Sequence, residues 1–133
     1  EIAPSVLGRV DLAPPVVAVE FDLEALTDAP RRGDAFQELS AFPTSTIDLD
    51  FVVDEGVPSG AIVATMRGAG GSTLEDVRAF DEFRGEQVGT GKKSLAFTLR
   101  FRSDHTLNQA EVAELRQRSI DAVTQAHGAT LRH

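Results

Sequence analysis

Ser94-Leu95-Ala96-Phe97-Thr98-Leu99-Arg100-Phe101-Arg102 alternates large apolar side chains with small or polar ones. Successive side chains of a β-strand point to opposite faces, so this stretch predicts a strand over residues 94–102 with one face on a core. The side chains predicted to share the core face are Leu95, Phe97, Leu99 and Phe101. The opposite face carries Ser94, Thr98 and Arg100, which suits a sheet surface left open to water.

Two more strands and a helix are predicted on the N-terminal side of this strand. Residues 47–53 alternate at first in the same way, and residues 74–83 form a second candidate strand. Pro58 lies between them and suits the first turn of a helix, where a missing N–H is tolerated. The predicted inner stripe of that helix is Ala61, Ile62, Thr65, Met66 and Ala69, and its predicted end is Gly68, Gly70 and Gly71.

A second helix and a short strand are predicted on the C-terminal side. Asn108 and Glu111 have the spacing of a capping box, and Leu107 with Val112 has that of a hydrophobic staple. Gly128 suits the left-handed residue that ends a helix, and residues 129–132 follow as a strand. The predicted buried face of this helix is Val112, Leu115, Ser119, Ile120, Val123 and Ala126.

The order of elements from residue 47 is strand, helix, strand, strand, helix, strand. Two split βαβ units of this kind predict an α+β, ferredoxin-like sandwich with a βαββαβ order. Its four-stranded antiparallel sheet would carry both helices on one face. The other face is then a flat, open platform of the sort on which RNA bases or protein partners can lie.

An N-terminal segment precedes this domain. Residues 16–23 alternate toward their end and follow Pro14-Pro15, which predicts a strand. A polar connector over residues 27–40, with Pro30, Arg31, Arg32 and Gly33, predicts a boundary between residues 1–39 and 40–133. Because the 16–23 strand has no sheet of its own, we expect it to pair with a sheet edge or with a second copy of the chain.

Composition bounds the class of protein. Of 133 residues, 41% are hydrophobic and 26% charged, which favours a packed domain over disorder. Cysteine is absent, which excludes disulfides and thiolate metal sites, and no apolar run is long enough to span a membrane. The net charge of -8 argues against a general nucleic-acid binder, although Lys92, Lys93, Arg100 and Arg102 cluster on one stretch.

Patterns that could indicate catalysis have simpler explanations. Residues 89–94, Gly-Thr-Gly-Lys-Lys-Ser, lack the glycine of a phosphate-binding loop at Glu86, and a strand follows instead of a helix. Asp48 and Asp50 share a face, as alternation on a half-exposed strand produces without any function. The histidines at 105, 127 and 133 are too far apart for a metal-binding motif. We therefore expect no catalysis by this chain.

Phe80-Asp81-Glu82-Phe83 is the block most suggestive of binding. Asp81 and Phe83 are two residues apart and therefore share a face of the second strand. On an open face, an aromatic ring can stack on a base and a carboxylate can accept base N–H groups. The alternative, that Phe83 covers the end of the core, is equally compatible with the spacing.

Residues 42–132 resemble the C-terminal anticodon-binding domain of the bacterial phenylalanine–tRNA ligase beta subunit, and Glu1-Ile2-Ala3-Pro4 with residues 19–23 resembles the end of that subunit's preceding catalytic-like module. No single block carries the likeness, but their order and spacing are specific. The matching blocks are Phe42-Pro43, Asp48-Leu49, Phe51-Val52-Val53, residues 74–85, residues 91–97, Phe101-Arg102, Thr106-Leu107 and residues 128–132.

The resemblance implies binding of the anticodon of phenylalanine tRNA. In the family, the acidic and aromatic residues that correspond to Asp81 and Phe83 read and stack the first anticodon base, and Ser94 and Asp50 correspond to polar groups nearby. Lys92, Lys93 and Arg100 are the expected basic contacts to the RNA. The chain departs from the family by having Thr46 and Ile47 where arginines are common, an acidic Asp50, and Phe83 where tyrosine is common. We therefore expect weak binding by the isolated chain.

The resemblance also implies what lies outside the chain. ATP and magnesium are expected for the whole enzyme and no cofactor for this part, because the family's active site is in the alpha subunit. The expected partners are the tRNA, the alpha subunit and the rest of the beta subunit, in the cytoplasm and away from membranes. Two alternatives remain open: a structural or protein-interaction module that binds no RNA on its own, and a small-ligand regulatory domain on the same fold.

Overall fold

The computed structural model describes residues 1–29 and 40–132. The chain separates into two compact units, Glu1–Gln37 and Glu38–His133. The predicted connector around Pro30, Arg31, Arg32 and Gly33, and with it the boundary at residues 39 and 40, involves residues outside the described part and stays a prediction.

The first unit contains two short helices, α1 (Pro4–Leu7) and α2 (Leu23–Asp28). The predicted strand over residues 16–23 is wrong: residues 16–22 belong to no regular element, and Leu23 begins a helix. The carboxylate of Asp22 accepts hydrogen bonds from the backbone N–H groups of Glu24 (2.9 Å) and Ala25 (3.2 Å) and so caps α2. Alternation alone cannot make a strand, since a strand also needs a neighbour for its backbone hydrogen bonds.

The second unit confirms the predicted fold. Its elements are β1 (Ser45–Asp54), α3 (Ser59–Gly70), β2 (Leu74–Phe83), β3 (Lys92–Phe101), α4 (Gln109–His127) and β4 (Thr130–Arg132), with 3₁₀ turns at Gly71–Thr73 and Glu86–Val88. The strands form one antiparallel sheet in the order β2-β3-β1-β4. This is the βαββαβ sandwich, with α3 and α4 on one face of the sheet.

The core lies between the sheet and these helices. Strand β3 carries four of its apolar side chains at 0–1% exposure, on the face that the alternation predicts. The rings of Phe51 and Phe97 meet edge to face, with centroids 6.5 Å apart. The core residues are Leu49, Phe51, Val53, Ile62, Met66, Leu74, Val77, Leu95, Phe97, Leu99, Phe101, Leu115, Ile120, Val123 and Ala129.

Strand β2 is irregular in a way that the alternation does not predict. Its register against β3 shifts between Leu74 and Asp76 and again between Ala79 and Asp81. Each shift inserts one extra residue, which reverses the face of every side chain that follows. The second bulge therefore puts Asp81 and Phe83 on the face opposite the helices, opposite Ala96 and Ser94 of β3.

Pro58 is the N-cap residue just before α3 and not a residue of its first turn, contrary to the prediction, whereas the other helix ends follow the predicted signals. Asn108 and Glu111 form the complete capping box at the start of α4, and Gly128 ends that helix at φ 63°, in the left-handed region that suits glycine. At the end of α3, a Cβ on Gly70 would collide with the Cβ of Leu74, so only glycine lets the helix meet β2 there. Ala126 is exposed and does not belong to the buried face of α4, contrary to the prediction.

His105 connects the loop before α4 to the capping box. Its Nδ1 lies 2.9 Å from Oδ1 of Asp104 and its Nε2 lies 2.9 Å from Oε1 of Glu111. The hydrogen bonds to Asp104 and then Glu111 raise the pKa of His105 above its ordinary 6.5. The hydrogen bond to His105 lowers the pKa of Asp104, and the backbone N–H of Asn108 followed by His105 lowers that of Glu111. Only the imidazolium can donate from both nitrogens, so protonation strengthens both contacts.

We expect the stabilisation by His105 to be full below its unfolded pKa of 6.5 and to disappear as the pH rises through its raised folded value. The difference in Tm between wild type and His105→Gln should therefore be larger at about pH 5.5, where the carboxylates remain ionised, than at about pH 8.5. Gln125→Ala, which changes no titratable group on α4, serves as the control. A Tm difference that is the same at both pH values would show that His105 does not act through its charge.

Candidate functional site

A pocket of about 190 Å³ opens on the face of the sheet opposite the helices. Adjacent strands position its side chains: Asp50 on β1, Ser94 and Ala96 on β3, and Asp81 and Phe83 on β2 after the second bulge. The structure thus brings together four residues that the sequence analysis selected, from three separate strands of the sheet. The lining is Asp50, Asp81, Phe83, Gln87, Ser94, Ala96 and Arg132.

Hydrogen bonds within the pocket leave it rich in acceptors. Ser94 is 2% exposed, and its hydroxyl donates to Oδ1 of Asp50, so its proton is already engaged. Oδ1 of Asp81 accepts the backbone N–H of Glu82 at 2.9 Å. The second oxygen of Asp81 and a lone pair on Ser94 remain able to accept hydrogen bonds. A partner group that enters the pocket therefore meets mainly acceptors and should supply N–H donors.

Phe83 and Arg132 form the aromatic side of the pocket. The Phe83 ring is 39% exposed, and the guanidinium carbon of Arg132 lies 5.9 Å from the ring centroid, within the range of a cation–π contact. A guanidinium nitrogen of Arg132 also lies 3.8 Å from Oδ2 of Asp50, a long ion pair in an exposed setting. Arg132 therefore connects the aromatic ring to the carboxylate.

The three basic side chains that were predicted to contact RNA do not lie together, unlike the residues of the pocket. Lys92 is exposed on the open face of β3, two residues before Ser94 and therefore about 7 Å from it along the strand. Lys93 points to the helix side and is buried, with its ammonium group 4.0 Å from Glu82. Arg100 is on the open face but six residues beyond Ser94, about 20 Å along the strand. The lining of the pocket includes none of these three basic side chains.

The sequence analysis missed Gln87 and Arg132 as members of the pocket. Arg132 is in the closing block of the resemblance, but its place beside Phe83 depends on β4 pairing with β1, where it is opposite Asp50. Gln87 reaches the pocket from the 3₁₀ turn between β2 and β3. Neither residue has a local sequence signal, because each position depends on a non-local contact.

The remaining sequence motifs have structural roles. Residues 89–91 form a turn with positive φ at Gly89 and Gly91, and β3 follows at Lys92, as predicted. His127 contacts the hydroxyl of Thr65 at 2.8 Å and thereby joins α4 to α3. Over residues 1–29 and 40–132, no group of three or more potential ligand side chains is placed to hold a metal ion. Among the helices described, none has both the length and the apolar character needed to cross a membrane.

The topology and the open face define a ferredoxin-like α+β domain with a pocket on its open sheet face. Comparison with known families gives a match over residues 40–132 to the family described as "Ferredoxin-fold anticodon binding domain". The chain belongs to that family, as the resemblance in the sequence predicted.

Curated relatives agree with this assignment. The chain is 39% identical over 135 residues to a phenylalanine–tRNA ligase beta subunit of Corynebacterium jeikeium, and 38% identical over 133 residues to those of Cutibacterium acnes and Streptomyces avermitilis. Each match covers 99% of this chain, so the similarity includes the first unit. The chain spans only 15–16% of the length of these relatives.

Gly85 sets the position of the Phe83 ring, and we expect Gly85→Ala to displace it. An added Cβ would lie 2.8 Å from Cζ of Phe83, while the φ of 171° is extended backbone open to any residue. The Phe83 ring-proton NMR resonances should shift, and the free energy of unfolding should change by less than about 1 kcal/mol because the ring is half exposed. Gly56→Ala, where an added Cβ meets nothing within 4 Å, is the matched control. Unchanged Phe83 resonances in Gly85→Ala would contradict the close packing.

Proposed function

We propose that this chain is the anticodon-binding module of a phenylalanine–tRNA ligase beta subunit and binds the anticodon of phenylalanine tRNA without catalysing a reaction itself. The observation that carries the proposal is the pocket on the open face, where Asp50, Asp81, Phe83 and Ser94 meet. Family membership supplies the class of ligand, and the pocket supplies a place for it.

The chemistry of the pocket favours the edge of a base over a phosphate. Asp50 and Asp81 contribute two carboxylates against the single guanidinium of Arg132, so a phosphate entering the pocket would be repelled. A base instead presents N–H groups that carboxylate and hydroxyl oxygens accept, and its face stacks on Phe83. The first anticodon base is the proposed occupant, with Asp81 and Ser94 on its edge and Phe83 against its face.

The rest of the enzyme supplies the chemistry in this proposal. The aminoacylation site, with its ATP and magnesium, is in the alpha subunit, and this chain needs no cofactor. Its protein partners are the alpha subunit and the remainder of the beta subunit, and it works in the cytoplasm. The small share of each relative's length that the chain covers supports its role as one module of a larger protein.

The stacking role of Phe83 can be tested with an anticodon stem-loop of phenylalanine tRNA titrated at low salt. We expect Phe83→Ala to weaken binding about five- to 150-fold, since stacking on an aromatic ring contributes about 1–3 kcal/mol per base. Phe42→Ala is the matched control, because Phe42 is 38% exposed, as Phe83 is 39%, and does not line the pocket. Equal affinities of wild type and Phe83→Ala would exclude the stacking role.

A second candidate function is a structural module that contacts protein and binds no RNA by itself. Exposed apolar side chains of the first unit favour it: Val17, Val19 and Phe21 are 67–69% exposed in a segment without regular secondary structure. Apolar surface of this kind usually marks a protein contact. In this candidate, the rest of the subunit or a second copy of the chain covers residues 16–23.

Deleting the second unit from the whole ligase separates the two candidates. Under the anticodon-binding proposal, the truncated enzyme loses affinity for phenylalanine tRNA but keeps the ability to activate phenylalanine with ATP. Amino-acid-dependent pyrophosphate exchange measures activation, and a filter-binding titration measures tRNA affinity. Full tRNA affinity after the deletion would favour the structural candidate.

A further inference from the structure

A second surface on the open face of the sheet has features of an RNA contact. Phe80, Arg78 and Arg100 line a shallow depression of about 340 Å³ beside the pocket described above, together with Thr46, Asp76 and Thr98. We refer to Phe80, Arg78 and Arg100 as the second station. Phe80 is 56% exposed, more than Phe83, although a large aromatic side chain normally avoids water.

The second β2 bulge accounts for the exposure of Phe80. Ala79 pairs with Phe97 on the helix side and Asp81 pairs with Ala96 on the open side, so Phe80 is the extra residue between them. In a regular strand, Phe80 and Asp81 would point to opposite faces, but here both line depressions of the open face. One irregularity therefore presents an aromatic ring beside the proposed base pocket.

The charges around the second station favour a phosphate. Glu75 forms ion pairs with Arg100 at 2.8 Å and with Arg102 at 3.0 Å. Asp76 forms an ion pair with Arg67 at 3.3 Å. Asp48, farther across the sheet, accepts a hydrogen bond from Thr98 at 2.7 Å. Within the described residues, Arg78 has no ion-pair partner. The arginines thus outnumber the carboxylates at this end of the sheet, whereas carboxylates dominate at the pocket.

We infer that the second station binds the nucleotide adjacent to the one in the pocket, with its base against Phe80 and its phosphate on Arg78. This inference rests on the proposed function, since it needs a single-stranded RNA already held by Phe83. Because Phe80 is the extra residue of the bulge, it lies two to three residues of β3 from the level of Phe83, or about 8 Å along the strand. Because stacked bases rise only about 3.4 Å, the two bases must be splayed apart, as in single-stranded RNA recognition.

The test uses the same anticodon stem-loop and compares wild type with Phe80→Ala, Phe80→Leu and Arg78→Gln. We expect both Phe80 variants to weaken binding at least about fivefold, since leucine keeps apolar contact but loses the stacking face. Arg78→Gln should lower the slope of log affinity against log salt by about 0.7, the value for one phosphate contact on a single strand. Arg118→Gln, an exposed arginine on α4 paired with Glu114, should leave that slope unchanged.

An abasic substitution moved through the loop locates the contacts. The effect of Phe83→Ala should vanish when one nucleotide is abasic, and that of Phe80→Ala when its neighbour is abasic. Weakening by Phe83→Ala with wild-type affinity and salt slope in the Phe80 and Arg78 variants would overturn the second station and leave the proposed function standing. No binding of the stem-loop by wild type, or no effect of Phe83→Ala, would instead count against the proposed function itself.

Discussion

Strand β3 forms backbone hydrogen-bond ladders with β1 on one side and β2 on the other. Its alternation of core-facing and open-face side chains constrains the register of both neighbouring strands. Every second side chain from Leu95 to Phe101 is buried under α3 and α4, so a one-residue slip would move the whole apolar set into water. That penalty holds the register of β1, which pairs with β3 without interruption from Ser45 to Asp54. The relative position of Asp50 and Ser94 follows from this register, since Asp50 is opposite Ala96 and diagonal to Ser94.

Strand β2 satisfies the same constraint with two irregularities, and the candidate site depends on them. Leu74, Val77 and Ala79 all face the helix side, which an unbroken alternation beginning at Leu74 does not allow. The first bulge brings Val77 onto the core, and the second returns Asp81 and Phe83 to the open face. Bulges are common next to binding sites because they redirect side chains at the edge of a sheet, as these do. The edge position of β2 permits the distortion, since only β3 has to match it.

The sequence predicts the fold better than it predicts the site, for a physical reason. Periodicity and caps are local, and they correctly gave the six elements of the second unit, the capping box and the buried face of β3. The spacing of three between Leu74 and Val77 was a signal of the first bulge, but nothing local indicates the second. In the first unit, a local pattern predicted a strand that does not form. Residues 16–23 have the alternation of a strand, but they have no partner strand in the described part of the chain. The sequence analysis did not place Arg132 in the pocket, and it predicted that Lys93, which is buried, contacts RNA. Both outcomes depend on which strands pair and on which face of the sheet a side chain points to, and neither is a local property of the sequence.

The acidic net charge of -8 bears on specificity in the proposed RNA complex. Non-specific binding comes mainly from basic side chains that displace counterions from phosphates, and among the residues that the structure describes most lysines and arginines already form ion pairs. Contacts to phosphates position a protein on RNA, whereas contacts to bases read the sequence. In the proposed complex, the acidic pocket selects a base edge with N–H donors, while the arginines at the other end of the sheet are proposed to contact a phosphate. In the proposed complex, we expect a module of this kind to bind weakly alone and to gain affinity from the larger enzyme, because linked sites raise one another's effective concentration. On this proposal, the acidic surface limits binding to RNA that presents the correct unpaired base.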